Sequence, residues 1–285
     1  MSRKTLLYQL YLTPGVGNIT MAALLQQLTD AEAADITPYE LAQLLPVKRQ
    51  EKFITAYSAL LQTPEKIKYL QELPHVTFLD EAYSPYLIES YRFPCLLFYQ
   101  GNLSLLQEKA LSVVGTRSPV ANSRAILRRL IGPLVKEWVI VSGLARGIDA
   151  LAHETALTGG GATIACLGTG LDIFYPAENA QLQKQIGEKG LLLSEYLPQL
   201  GPKRHHFPLR NRIIAGLSCG TLVVAAKERS GSLITAQLAL ENNREVFALP
   251  GNIMEGNFAG CHWLIQQGAK CVQNSQDIEG ELKFF

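Results

Sequence analysis

The chain of 285 residues carries almost no net charge, since its 26 lysines and arginines are balanced by 25 acidic residues. An overall excess of positive charge, as expected for many nucleic-acid-binding proteins, is therefore absent, and a site for DNA has to come from local clustering of cations. The sequence also lacks a run of about 18 apolar residues, the length that spans a bilayer, and its start lacks the pattern of a secretory signal. We expect a cytoplasmic protein without membrane contact.

Cysteine and histidine are few and irregularly placed. None of the five cysteines forms a Cys-x-x-Cys pair, and no regular cysteine spacing accompanies the adjacent His205 and His206. An odd, scattered set of cysteines argues against a disulfide scaffold and fits a reducing compartment. Because zinc sites need regular cysteine and histidine spacing, we predict no metal site.

The signature loops of common nucleotide-binding enzymes are missing as well. The sequence contains no G-x-G-x-x-G fingerprint, and the glycines of 168–170 (GTG) are too closely spaced to form one. No Walker-type P-loop occurs, and although Ser142 precedes Gly143, we expect no G-x-S-x-G turn. These absences disfavour nicotinamide binding, ATP hydrolysis and serine-dependent hydrolysis, so we expect no cofactor.

The chain divides into two regions, which we predict to be domains of residues 1–68 and 69–285. The first has apolar residues at helical spacing, such as Leu24, Leu25 and Leu28, and predicts a small helical domain. Within it, the sequence PGVG at 14–17 fits a helix-hairpin-helix element that offers backbone N–H groups to a phosphate. The simpler interpretation is a tight turn between helices.

The second region alternates short apolar strands with helical stretches. This alternation predicts βαβ units, and continuously apolar strands fit a mostly parallel sheet that is covered on both faces. We therefore predict an α/β domain with an extended Rossmann-like sheet. The predicted strands are 76–79, 95–99, 111–114, 138–141, 163–167, 191–195, 221–225, 245–248 and 270–272, and the predicted helices are 120–136, 148–158, 178–187 and 232–242.

Glycine turns follow several of these strands, at the edge where open α/β sheets bind ligands. In residues 113–118 (VVGTRS), Gly115 permits close backbone approach, Thr116 offers a hydroxyl and Arg117 offers a two-pronged donor for phosphate. An ordinary strand-to-helix turn with a solvated arginine explains the same residues.

A second turn lies in residues 141–149 (VSGLARGID), where Arg146 could meet a phosphate and Asp149 could instead cap the helix. His153 on that helix could act as a base, although a lone helical histidine is more often a packing residue. A third candidate is Ser230-Gly-Ser232, which opens a helix and is flanked by Lys227 and Arg229. A serine helix cap is the alternative there.

Positive charge is concentrated in residues 203–214 (KRHHFPLRNRII). Cations give affinity for a phosphate backbone, and Phe207 could stack on an unpaired base. Arg210 and Arg212 are predicted to precede an apolar helix directly, which favours anion binding over a merely basic surface loop.

These segments, in this order, resemble the DNA-processing protein A family (DprA, also called Smf) over about residues 75–275. The matching segments are 113–117, 142–149, 168–172 with Tyr175 and Pro176, 193–196, 207–216, 229–235, 248–251 and 260–269. The resemblance implies an extended Rossmann domain that binds single-stranded DNA, preceded by a helical region similar to the SAM-like domain of many members. Members protect incoming DNA during natural transformation, help load the RecA recombinase onto it and are not known as enzymes.

The turns and the resemblance together give the candidate DNA-binding residues Gly115, Thr116, Arg117, Gly143, Arg146, Phe207, Arg210, Arg212, Lys227, Arg229, Ser230, Gly231 and Ser232. The resemblance also implies a homodimer through about residues 253–271, with His262, Ile265 and Cys271 as candidates, and a recombinase contact near Leu240. Relatives often carry a DNA-contacting lysine where this chain has Ala177. Arg117 is therefore expected to bear more of the binding.

Two other hypotheses remain. Rossmann enzymes that cleave nucleoside monophosphates at the N-glycosidic bond share a glycine-and-arginine phosphate site, but their signature contains paired glycines and a glutamate on the next helix. Residues 230–235 (SGSLIT) lack the paired glycines, and Glu241 is too far along to be the base. A scaffold that contacts only proteins would not explain cations at glycine turns.

Overall fold

The computed structural model describes residues 2–46 and 50–283. The chain forms two compact units, Met1–Glu81 with Arg92–Leu97, and Ala82–Tyr91 with Phe98–Phe285. The predicted domain boundary after residue 68 stays a prediction. Among the described residues, no helix has both the length and the apolar character needed to cross a bilayer.

The first unit is helical, as predicted. Its elements are α1 (Arg3–Leu12), α2 (Asn18–Gln27), α3 (Asp30–Asp35), α4 (Pro38–Leu44), α5 (Gln50–Leu61), α6 (Pro64–Glu72) and β1 (His75–Thr77). Thr29 with Glu32 and Thr37 with Glu40 form capping boxes, in which each side chain satisfies a backbone N–H of the other residue. The PGVG sequence forms the turn between α1 and α2, where Gly15 has a φ of 94°. Its phosphate contact stays a prediction.

The second unit contains the α/β sheet. Its elements are α7 (Pro85–Ile88), the greater part of β2 (Leu96–Gly101), β3 (Ala110–Val114), α8 (Ser123–Leu130), β4 (Val139–Ser142), α9 (Ile148–Thr158), β5 (Thr163–Leu167), α10 (Ala180–Lys189), β6 (Leu191–Ser194), α11 (His206–Gly216), β7 (Gly220–Val223), α12 (Gly231–Glu241), β8 (Glu245–Ala248), α13 (Ala259–Gln266), β9 (Lys270–Cys271) and α14 (Ser275–Leu282).

The strands of this unit lie in the order β2-β6-β5-β4-β3-β7-β8-β9. All neighbouring pairs are parallel except β2 with β6. The predicted α/β class with a mostly parallel sheet is therefore confirmed. The chain runs outward from β3 to β6, then returns to the other side of β3 with β7, so the strand order reverses between β3 and β7. Open α/β sheets bind their ligands at such a reversal.

The core of the second unit lies on both faces of the sheet. Every residue of β3, β4 and β5 is buried, which explains why their sequences are largely apolar and do not alternate between apolar and polar residues. Leu127 of α8, Ile148 of α9 and Phe247 of β8 belong to the larger apolar cluster, and Leu182 and Ile186 of α10 belong to a second one. This packing fixes the positions of the strand ends and of the turns that follow them.

Candidate functional site

A cavity of about 670 Å³, which we call the main cavity, lies where the strand order reverses. Its walls come from the turn after β3, the turn after β4, the first half of α11 and the start of α12. The lining residues are Val114, Gly115, Thr116, Arg117, Ser118, Ala145, Asp149, Tyr175, Arg204, Phe207, Pro208, Arg210, Asn211, Ile214, Lys227, Ser230, Gly231, Ser232, Ile234 and Thr235.

The turn after β3 is fixed against α9 and presents an arginine to the main cavity. A side chain at Gly115 would come within 2.7 Å of Ile148, so only glycine lets the turn lie this close to the helix. The Thr116 carbonyl accepts a hydrogen bond from the Ile148 N–H at 3.1 Å, and its hydroxyl oxygen accepts one from the Ser118 N–H at 3.2 Å. The Arg117 side chain is exposed at this fixed turn.

The start of α12 forms the opposite wall. Ser230 occupies the position before the helix, but its hydroxyl lies 2.9 Å from that of Ser232, and no side chain of the described residues caps the helix. First-turn N–H groups therefore remain available at the positive end of an 11-residue helix, with the exposed Lys227 close by. Asn211 donates to the Gly231 carbonyl at 3.2 Å and ties α11 to this wall. The arrangement suits an anion.

Two buried ionisable side chains, Arg210 and Asp149, form the floor of the main cavity. Arg210 donates from Nη1 to the Cys166 carbonyl at 2.7 Å, and its guanidinium packs directly against Gly143. Asp149 accepts from the Ala145 N–H at 3.3 Å. Burial raises the pKa of Asp149, and the charge of Arg210 opposes this rise. Arg210 and Asp149 therefore hold the turn after β4 in place from beneath.

A smaller cavity of about 100 Å³, which we call the side pocket, adjoins the main cavity. It lies between the turns after β4 and β5, and two of the predicted DNA-binding residues, Gly143 and Arg146, line it. Arg146 forms an ion pair with Glu178, and each charge favours the ionised form of the other: the pKa of Arg146 is raised and that of Glu178 is lowered. Arg146 is thus engaged in an ion pair at the rim of the side pocket.

The structure brings most of the predicted DNA-binding residues together. Nine of the thirteen line the main cavity, namely Gly115, Thr116, Arg117, Phe207, Arg210, Lys227, Ser230, Gly231 and Ser232. Arg212 lines neither cavity: it is buried and pairs with Glu195 at 2.5 Å. Arg229 lines an apolar groove beside α12 instead of the main cavity. Their DNA contacts stay predictions.

The residues predicted for protein contacts lie on other elements. His262 and Ile265 are half-buried on α13, where Nε2 of His262 lies 3.0 Å from the Gly251 carbonyl. Cys271 is exposed on β9, the strand at one end of the sheet order, and Leu240 is 49% exposed on α12. Ile253 and Met254 are also strongly exposed.

Tyr175, Arg204 and Asn211 line the main cavity and lie outside the predicted set of DNA-binding residues. Tyr175 and Phe207 form an aromatic pair with ring centroids 5.4 Å apart, and Tyr175 lines both cavities. Arg204 lines the main cavity, and Asn211 connects α11 to α12. Tyr175 could have been predicted from the sequence, since it lies in one of the segments that carry the family resemblance. Asn211 could not, because its contact depends on the packing of two helices.

The expectation that the sequence has no G-x-S-x-G is wrong. Residues 216–220 (GLSCG) match G-x-S-x-G, but they connect the end of α11 to β7 rather than a strand to a helix. Ser218 is fully buried and donates to the Ile214 carbonyl at 3.1 Å. A serine nucleophile of this motif needs an exposed hydroxyl on a strand-to-helix turn. Ser218 is therefore not placed as a nucleophile, and its hydroxyl instead bonds the end of α11.

Comparisons with known proteins agree with this geometry. A family model described as DNA recombination-mediator protein A matches residues 74–283. The chain is 51% identical over 217 residues to DNA processing protein DprA of Streptococcus pneumoniae, which covers 76% of this chain and 77% of that protein. The X-ray structure of DNA processing protein A from S. pneumoniae has a TM-score of 0.92 at 42% identity and covers 99% of this chain and 98% of that chain.

A second solved structure concerns the single-stranded DNA binding mode of DNA processing protein A from Helicobacter pylori. It has a TM-score of 0.65 at 29% identity and covers 75% of this chain and 97% of that chain. The family model spans well over half of the chain, and the S. pneumoniae protein matches it above 30% identity over most of both lengths. The chain belongs to the DNA recombination-mediator protein A family, the DprA family.

Proposed function

We propose that this chain binds single-stranded DNA, with the phosphate backbone in the main cavity. The observation that carries the proposal is the convergence of Arg117, Lys227 and the uncapped start of α12 on one cavity at the strand reversal. Backbone N–H groups at a helix start and arginine forks are the groups that bind phosphate in proteins. The H. pylori relative, studied for its single-stranded DNA binding mode, supports the same ligand class here.

Single strands fit this site better than a duplex. The aromatic pair of Tyr175 and Phe207 lies at the boundary of the two cavities, and Tyr175 is 45% exposed. Aromatic rings stack on unpaired bases, whereas the bases of a duplex already stack on each other. The low net charge agrees with a site that relies on a few placed cations rather than on a basic surface.

Binding is also favoured over cleavage of nucleoside monophosphates. Asp149 is the single carboxylate among the residues that line the main cavity, and it is buried and holds a backbone N–H. Glu241 ends α12, ten residues beyond Gly231 at its start, which is about 15 Å along a helix. Neither carboxylate is placed to act as a base on a nucleotide. Base release from AMP, followed by chromatography, would favour the enzyme instead.

The biological role that we propose is that of the family: the chain protects incoming single strands during natural transformation and loads RecA onto them in the cytoplasm. We also propose a homodimer through the surface of His262, Ile265 and Cys271, and a recombinase contact at Leu240. Exposed apolar residues and an edge strand on these elements support protein contacts there.

Arg117→Ala is expected to weaken the binding of oligo-dT roughly tenfold, since it removes a charge-assisted hydrogen bond to phosphate. The affinity should fall alike for all sequences, and the dependence of log K on log salt should become shallower because fewer counterions are released. A salt titration by fluorescence anisotropy measures both quantities.

Arg128→Ala is the matched control, because Arg128 is an exposed arginine on α8 that lines neither cavity. It should keep the wild-type affinity. The proposal is refuted if Arg117→Ala and Arg128→Ala bind oligo-dT equally well, or if the wild type prefers duplex to single strands.

A further inference from the structure

The turn after β4, residues 143–147, supports the neighbouring turn that carries Arg117. Gly147 packs directly against that turn, because a Cβ placed on it would overlap the Thr116 carbonyl oxygen and lie 2.9 Å from Cα of Arg117. The next residue, Ile148, donates its N–H to the same carbonyl at 3.1 Å. The position of Arg117 therefore depends on the position of the turn after β4.

The turn after β4 has an uncommon backbone conformation that needs support from its surroundings. Leu144 is fully buried and has a φ of 56°, in the left-handed region that a residue with a bulky side chain rarely adopts. Such a conformation persists where the contacts around it hold it in place. Asp149 provides one such contact from beneath, through its bond to the Ala145 N–H.

A second support comes from the two residues that precede α10. Nδ2 of Asn179 donates to the Leu144 carbonyl at 3.0 Å and to the Ala145 carbonyl at 3.2 Å. The carboxylate of Glu178 pairs with Arg146, the next residue of the same turn. Two consecutive residues thus hold three consecutive residues of the turn after β4, and Asn179 holds its backbone.

The place of Asn179 in the chain calls for a different use of its side chain. It immediately precedes α10, a position where the oxygen of an asparagine side chain normally accepts a hydrogen bond from the first turn of the helix. In the described part of the chain its side chain makes no such capping bond. Its nitrogen donates to the turn after β4 instead, so the amide serves that turn rather than the helix.

We propose that Asn179 is a positioning residue of the DNA site: it holds the turn after β4 and, through that turn, sets the place of Arg117. This inference rests on the proposed binding of single-stranded DNA. Asn179 lies outside the residues that line the main cavity and the side pocket, so it acts without touching the strand. A cation that is already in place loses less conformational freedom when a phosphate binds, and this raises the affinity.

The test is Asn179→Ser. Serine suits the position before a helix about as well as asparagine does, and the change alters no charge. Its hydroxyl lies one bond from Cβ, whereas the asparagine nitrogen lies two bonds from it, so serine is too short to reach the carbonyls of the turn. The affinity for oligo-dT, measured by fluorescence anisotropy, should fall roughly fivefold.

The same substitution in an Arg117→Ala background separates positioning from a general structural role. Because the group that Asn179 positions is then absent, Asn179→Ser should change the affinity for oligo-dT by less than about twofold. A general loss of structure would instead weaken binding equally in both backgrounds, and that result overturns the proposal. So does a wild-type affinity in Asn179→Ser itself, which leaves the proposed function standing.

Asn102→Ser is the matched control. Asn102 follows β2 at the opposite edge of the sheet, since Gly101 pairs with Leu191 at the start of β6, and its side chain accepts the Ser104 N–H at 3.1 Å. It should keep the wild-type affinity, and thermal unfolding should show that all variants are folded at the temperature of the assay. Failure of the wild type to bind oligo-dT overturns the proposed function itself.

Discussion

Gly143→Ala is expected to destabilise the second unit by about 3 kcal/mol, because the new methyl group takes the place of a buried guanidinium. A Cβ at this position would lie 1.8 Å from Nη1 and 2.4 Å from Cζ of Arg210. The arginine is 5% exposed and cannot move into solvent without losing its 2.7 Å hydrogen bond to the Cys166 carbonyl. Displacing it would also leave Asp149 buried without its counter-charge.

The measurement is the midpoint of thermal unfolding, which should fall by roughly 6–12 °C for a unit of this size. Gly231→Ala is the matched control: no atom lies within 4 Å of a Cβ placed there, so its midpoint should stay close to that of the wild type. In the double variant Gly143→Ala with Arg210→Leu, the combined loss should be smaller than the sum of the single losses, since the clash needs both partners. Additive losses would show that Gly143 and Arg210 do not meet.

The contact between Gly143 and Arg210 also changes the interpretation of the turn after β4. From the sequence and the family resemblance, Gly143 is expected to line the DNA site. In the structure, Gly143 gives room to a side chain of α11, a contact that joins residues 67 positions apart in the chain. The local sequence indicates that a small residue is needed at this turn. It does not indicate which group packs against that residue, because the packing depends on the tertiary structure.

The strands were predictable for a physical reason. Each predicted strand corresponds to a strand of the structure, and 163–167 and 245–248 have the same bounds in both. Buried parallel strands are short apolar runs between turns, which is a strong local signal. The order of the strands was not predictable in the same way, since the return of β7 to the side of β3 depends on pairing between distant segments.

The start of α11 was predicted wrongly. The sequence places Arg210 and Arg212 directly before an apolar helix, whereas the helix begins at His206 and contains both arginines. Pro208 lies in the first turn of the helix, where proline is tolerated because its missing N–H has no helical partner. As a result both arginines are inside the helix and buried, Arg210 beneath the main cavity and Arg212 against Glu195.

A second large effect is expected from pH, through His153. The side chain is fully buried on α9, and its Nδ1 lies 2.7 Å from the hydroxyl oxygen of Thr163. That hydroxyl donates its proton to the Ile140 carbonyl at 2.6 Å, so Nδ1 of His153 is the donor to Thr163. Burial and the nearby positive charge of Arg210 lower the pKa of His153 to about 3. The sequence left open a base or a packing role, and this environment favours packing.

The sign of the effect follows from proton uptake. The unfolded chain protonates His153 near pH 6.5, but the folded protein does so only near pH 3. The contribution of this group to stability is therefore complete above about pH 6.5 and is lost as the pH falls toward 3. Between pH 7 and pH 5 the loss should be about 2 kcal/mol, since the unfolded state binds the extra proton.

His153→Leu should remove this part of the pH dependence while leaving Thr163 its bond to Ile140. Denaturant unfolding at pH 7 and pH 5 measures it: the wild type should lose about 2 kcal/mol more than the variant over this interval. Thr155→Ala is the control, because Thr155 is also buried on α9 but does not titrate. It should change the free energy of unfolding by the same amount at both pH values. Parallel curves for the wild type and His153→Leu would mean that the folded protein protonates this ring as readily as the unfolded chain does. The assignment of a neutral His153 ring would then be wrong, and so would the positive charge assigned to Arg210 at the floor of the main cavity.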